Sequence, residues 1–279
     1  MKAAGPWLAL AAALAAPAAA RAQPDGEPPP SPRIFHVPTA WLQPPAHLYA
    51  SAGANHRGSG MFALSAGVGR LAEVDAELTD RFVQCATVCS GDDRDARHGW
   101  VVSALFKVGV AERRLGWWQP ALALGFRRSL RSPGADPGDR ELGLAEMYAA
   151  ASLRLGGLQL HGGGELWDAA SPGGRLERGV RRRLRPFAGL GWRPPLYPRT
   201  TLLADLGWVP ELPIAAAGEE LRWLAGWGIR YQAFGWGSIE LAVRHRQGES
   251  IGGATVFVRV NASGSLRAAS AGAAGRNRP

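Results

Sequence analysis

The residues from Ala72 to Thr79 constrain the fold more than any other part of the chain. Ala72, Val74, Ala76 and Leu78 fall on one side of an extended strand; Glu73, Asp75, Glu77 and Thr79 fall on the other. Three carboxylates on one face cannot lie against a dry core, because burying unpaired charge is very costly. They need water or cationic partners, while the opposite face needs an apolar environment. Lipid outside and a wet, charged lumen inside satisfy both demands at once.

The same split recurs along the sequence. Trp100, Val102, Ala104, Phe106, Val108 and Val110 oppose Ser103 and Lys107. Met147, Ala149, Ala151, Leu153 and Leu155 oppose Glu146, Tyr148, Ser152 and Arg154. Leu221, Trp223, Ala225, Trp227, Ile229 and Tyr231 oppose Arg222, Gly226, Gly228 and Arg230. Ile239, Leu241 and Val243 oppose Ser238, Glu240 and Arg244, and Val256, Val258 and Val260 oppose Thr255, Phe257 and Arg259. Weaker segments are His47–Asn55, Phe62–Val68, Ala121–Leu130, Leu158–Trp167, Leu184–Trp192 and Thr201–Val209. Together they predict an all-β fold: a single transmembrane antiparallel up-and-down β-barrel of about twelve strands, each near the ~10 residues a tilted strand needs. Each strand needs only one apolar face, so the absence of a ~20-residue apolar run after the N-terminus is no obstacle.

The connections alternate in length. Gly69-Arg70, Ala111 to Gln119, Gly156-Gly157, Arg193 to Thr200 and Gln232 to Gly237 are the shorter set. Asp80 to Gly99, Arg131 to Gly143, Ala169 to Arg183 and Pro210 to Glu220 are the longer, with Asn55 to Gly60 a short exception. The short set is expected at the periplasm and the long set at the exterior. Trp117, Trp118, Trp192, Tyr197, Tyr231 and Trp236 fall near the short turns, and Trp100, Trp208 and Trp223 near the long loops. That placement suggests two interfacial girdles.

The N-terminus reads as an export signal over residues 1–22. Lys2 precedes an apolar stretch from Trp7 to Ala16, and Ala20-Arg21-Ala22 offers a small-x-small cleavage site before Gln23. Residues 23–45 are expected to form a Pro-rich periplasmic leader, flexible to Pro32 and irregular but ordered from Ile34, with Trp41 as an anchor. The barrel is expected over 46–261, followed by a disordered tail at 262–279. The formal charge of +9 falls to +7 once Lys2 and Arg21 leave (9 − 2). Export and the scatter of arginines through strands argue against nucleic acid. The densest cluster, Arg178 to Arg185, is read as a solvated loop, with anionic lipid or polysaccharide as the other option. Cys85 and Cys89 fit a small loop disulfide in an oxidising compartment; a metal site would need more than His98 nearby. No cofactor is expected.

On this register the lumen carries Glu73, Asp75, Glu77, Glu146, Glu165, Asp205 and Glu240, with Lys107, Arg127, Arg154, Arg222, Arg230, Arg244 and Arg259. These charges either pair across strands and fill the lumen or line a selective pore. We favour pairing with a narrow or gated passage for small polar solutes; the alternative is a non-conducting structural or polysaccharide-associated barrel. An outer-membrane lipid hydrolase is the distant third. Of the histidines, His245 lies on the outward face near a long loop, but Ser238 is at the other end of that strand. His161 is expected inside, hydrogen-bonded structurally beside Glu165. Gly162-Gly163-Gly164 and Gly226-x-Gly228 lie in strands with no following helix, so they are not phosphate loops. Expected partners are outer-membrane lipid, lipopolysaccharide and the barrel-assembly machinery, for which Phe257 is an internal candidate signal.

Val37-Pro38-Thr39-Ala40, Leu48-Tyr49-Ala50 and Leu71-Ala72-Glu73-Val74 form a succession. Together with Trp118-Gln119-Pro120-Ala121-Leu122-Ala123-Leu124-Gly125 it resembles the opening of outer-membrane barrels associated with exopolysaccharide secretion. The resemblance covers about the first half of the mature chain. It implies a barrel in an envelope or polysaccharide-export setting, and it carries over no catalytic residue.

Overall fold

The structure, a computed structural model, describes residues 31–57, 60–79, 83–85, 97–98, 101–114, 116–130, 143–170, 184–213 and 220–265. Fourteen strands run among the described residues. They are β1 His47–Asn55, β2 Gly60–Val68, β3 Ala72–Thr79, β4 Val83–Cys85, β5 Arg97–His98, β6 Val101–Val110, β7 Ala121–Ser129, β8 Gly143–Leu155, β9 Leu158–Ala170, β10 Arg185–Trp192, β11 Thr200–Pro213, β12 Glu220–Phe234, β13 Gly237–Arg246 and β14 Thr255–Ser265. All but β4 and β5 pair antiparallel in chain order, and β1 closes on β14 from His47↔Ser265 to Asn55↔Phe257. The result is a twelve-stranded barrel with no free edge. The short β4–β5 hairpin lies outside it, β4 running parallel to the end of β11.

The alternation works as lipid and water demand. Phe106, Leu124 and Trp227 are 50%, 62% and 47% exposed on the outer face, whereas Glu73, Lys107 and Glu240 are 0% exposed within. No described helix is long and apolar enough to cross a membrane; the strands provide the apolar outer surface instead. The turns at Gly69 (φ 61°) and Gly156 (φ 58°) use the left-handed conformation that glycine adopts without strain. They share the short-turn end of the barrel with the start of β1 and the end of β14. Trp117, Trp118 and Tyr197 are exposed at this end.

Two expected boundaries are corrected. β14 runs to Ser265, so residues 262–265 belong to the wall and not to a tail. More consequentially, the segment expected as a periplasmic leader is packed inside the barrel from Ser31 to Gln43, its residues buried throughout except Leu42. The expected Cys85–Cys89 disulfide lies outside the described residues, since only the backbone of Cys85 is described; Trp100 lies outside them too.

Candidate functional site

The site is the lumen together with the segment that fills it. Residues 31–43 form a re-entrant hairpin. The amide of Thr39 donates to Pro32 O (3.0 Å), Thr39 Oγ1 donates to Ser31 O (2.8 Å), and Ile34 N donates to Val37 O (3.1 Å). Its tip, Ile34 to Val37, reaches into the barrel. Both limbs return to the short-turn end, where Ala46, in the left-handed region at φ 58°, turns the chain into β1.

Asp205 holds the tip. Its Oδ2 accepts the amides of Phe35, His36 and Val37 at 3.0, 2.6 and 3.0 Å. A carboxylate cradled by three backbone N–H groups satisfies donors that would otherwise be buried without partners. The wall is hollowed to admit the tip. A Cβ on Gly189 would lie 2.4 Å from Ile34 Cδ1, and one on Gly226 would lie 2.6 Å from Asp205 Oδ1 and 2.9 Å from Phe35 Cδ2. Only glycine permits that approach.

The returning limb is fixed by β3, β6, β8 and β9. Lys107 Nζ donates to Trp41 O (2.9 Å) and pairs with Glu73 (2.7 Å), whose Oε2 accepts the amide of Gln43 (2.6 Å). Ser152 Oγ accepts the amide of Ala40 (2.8 Å) and lies 2.8 Å from His161 Nδ1. The His161 and Trp41 rings meet nearly perpendicular (centroids 4.6 Å apart), and the Arg154 guanidinium stacks over the same indole at 4.5 Å. His161 is therefore partnered by its cross-strand neighbour Ser152, where the sequence pointed to Glu165. Glu165 instead accepts the backbone N–H of Trp208 (3.0 Å). It does so at the edge of β10–β11 pairing, which spans only Ala188–Trp192 against Leu202–Leu206.

The remaining charges form two paired groups. Glu77 takes Arg33 of the hairpin at 2.5 Å and Arg127 at 3.6 Å, and Arg127 pairs with Glu146 at 2.7 Å. Across the barrel Glu240 binds Arg230 (2.7 Å) and Arg259 (2.5 Å) and accepts from Asn261 Nδ2 (2.8 Å). Arg259 also donates to Ile34 O and lies 5.8 Å from the Phe35 ring. Asp75 is 7% exposed, and neither carboxylate oxygen has a hydrogen-bond partner among the described residues. Arg244 is buried on the inner face, and Arg222 donates to Gln247 O (3.2 Å). Apolar contacts complete the filling: Val37, Ala40 and Trp41 pack with Leu105, Ala123, Tyr148 and Phe187.

Two cavities lie on either side of the hairpin. A cavity of about 100 Å³ at the short-turn end is floored by Ser31 and Trp41. A smaller one of about 30 Å³ lies between the tip and β1–β3, lined by Ser65, Asp75 and Glu77. Among the described residues no group of His, Cys, Asp and Glu is arranged to hold a metal ion.

No family model matches the sequence, and no curated protein matches it. Among solved structures, the chain is similar to KdgM porin in complex with disordered oligogalacturonate. The identity is 7%, covering 79% of this chain and 99% of that one, with a TM-score of 0.44. It is also similar to an active-site mutant of outer membrane phospholipase A from Escherichia coli, at 11% identity, 87% and 93% coverage and a TM-score of 0.44. The translocator domain of autotransporter NalP from Neisseria meningitidis matches at 13% identity, 79% and 87% coverage and a TM-score of 0.35. Neither a family nor an activity follows from likenesses at this level.

Proposed function

We propose that this chain is a non-enzymatic outer-membrane channel for small polar solutes, held shut by its own residues 31–43. Export through a cleaved signal peptide at 1–22, insertion by the barrel-assembly machinery and contact with lipopolysaccharide belong to this reading. So does a Cys85–Cys89 disulfide in the long loop. The exopolysaccharide resemblance makes polysaccharide a candidate partner class.

One observation carries the reading: the hairpin's backbone is tied to the wall by side chains and is not strand-paired to it. Asp205, Glu73, Lys107 and Ser152 bind its backbone, and these are contacts that water can replace once the hairpin leaves. If the hairpin withdraws, it leaves a lumen lined by ionised side chains, which is what conduction requires. A second reading, a permanently filled structural barrel, is favoured by the packing of Val37 and Trp41 into the apolar cluster. Planar-bilayer recording separates the two. Brief openings in the full chain and steady current after deletion of residues 31–43 are expected. Silence from both proteins, each shown to be folded, would establish the structural barrel instead.

A further inference from the structure

The cavity at the short-turn end differs from the rest of the lumen in its charge. Arg154, Arg193, Arg199 and Arg230 line it, and among the described residues no carboxylate does. Two acids that touch the lining arginines, Glu240 and Glu112, are already engaged. Glu240 is fully buried and shared between Arg230 and Arg259. Glu112 accepts the backbone N–H of Arg154 at 2.9 Å and lies 3.8 Å from Arg113. One carboxylate divided between two guanidiniums leaves positive charge uncompensated, and Arg230 Nη2 has no hydrogen-bond partner among the described residues. Tyr49, Gln159, Ser238 and Asn261 add neutral polar groups to the lining. Among the described residues, the charged groups that line this cavity are all guanidiniums.

Guanidinium groups recognise planar or tetrahedral oxyanions through paired N–H donors, and in a recessed mouth their attraction is screened less than on an open surface. We propose that this vestibule binds a small multivalent oxyanion, a carboxylated or phosphorylated solute entering from the short-turn side. The site is complete only with the hairpin in place, because Ser31 and Trp41 form its floor. As the cargo assignment for the channel, this inference rests on the function proposed above; as a binding site it stands on the arginines alone.

The test is titration of refolded full-length barrel, in a detergent without phosphate or carboxylate, with inorganic pyrophosphate, with citrate and with glucose. Tryptophan fluorescence follows Trp41 and Trp236, and calorimetry runs in parallel. Binding of pyrophosphate or citrate but not glucose is expected, weakening with salt. Which of the two binds more tightly separates phosphate from carboxylate recognition. The double variant Arg193→Gln/Arg199→Gln, altered only in the turn region, should lose about tenfold or more in affinity, the worth of a charge-assisted hydrogen bond. Arg230→Gln should lose a similar factor. No binding of either anion at millimolar concentration, or binding that all three substitutions leave unchanged, would overturn the site. Anion binding by a barrel that never conducts would overturn the channel and leave the site standing. A conducting barrel without anion binding would do the reverse.

Discussion

Replacing Asp205 by alanine should unseat the hairpin. One carboxylate oxygen accepts three amides at 2.6 to 3.0 Å, and alanine would leave all three donors facing an empty space. A hydrogen bond to a charged acceptor contributes ~1.5–3 kcal/mol, but three that share one oxygen compete, so the loss falls below their sum, at about 3–5 kcal/mol. Even the lower figure raises the withdrawn population about a hundredfold, since each 1.4 kcal/mol is tenfold. The assay introduces His36→Cys, with Cys85 and Cys89 replaced by serine, and follows labelling by a membrane-impermeant maleimide. Labelling about a hundredfold faster in Asp205→Ala is expected, together with larger bilayer currents. Asp205→Asn should be intermediate, because an amide oxygen still accepts but carries no charge. Equal labelling rates in a barrel that remains folded would refute the reasoning.

Other substitutions probe the same packing. Lys107→Met leaves Glu73 fully buried without its cation and should cost about 3–5 kcal/mol in denaturant unfolding. Gly189→Leu occupies the space of Ile34, so the barrel should still fold while current increases. Asp75→Asn should raise the unfolding midpoint, because it removes a buried charge whose oxygens have no hydrogen-bond partner among the described residues. Boiled and unboiled wild-type samples should migrate differently on a detergent gel.

The wall was legible in the sequence because its two faces meet different solvents. Glu73 against Val74, or Lys107 against Phe106, declares a side and therefore a register, and the strand ends at His47, Ala72 and Ala121 follow from it. The contents of the lumen were not legible. Ile34 to Gln43 has no period, and its proline-rich approach reads as a leader; its contacts with Asp205 and Ser152 span more than a hundred residues of sequence. A signal did exist in the inward positions taken by glycine. Gly189, Gly207 and Gly226 present no side chain toward a lumen that charges alone were expected to fill, which implies that something else approaches the wall there. The partner of His161 was missed for a related reason. Ser152 lies opposite it across β8–β9, a neighbour that the pairing register reveals, whereas Glu165 is close only along the chain.

The central claim, that residues 31–43 occupy the lumen, is tested most directly by a cross-link. Val37 Cγ2 lies 3.3 Å from where a Cβ on Gly207 would sit, close enough for a disulfide between cysteines at the two positions. The measurement is the extent of cross-linking in Val37→Cys/Gly207→Cys, with Cys85 and Cys89 replaced by serine, in refolded heat-modifiable protein under mild oxidation. The structure leads us to expect near-complete disulfide formation, with currents that appear only after reduction. Two free thiols persisting in a correctly folded barrel would contradict the account.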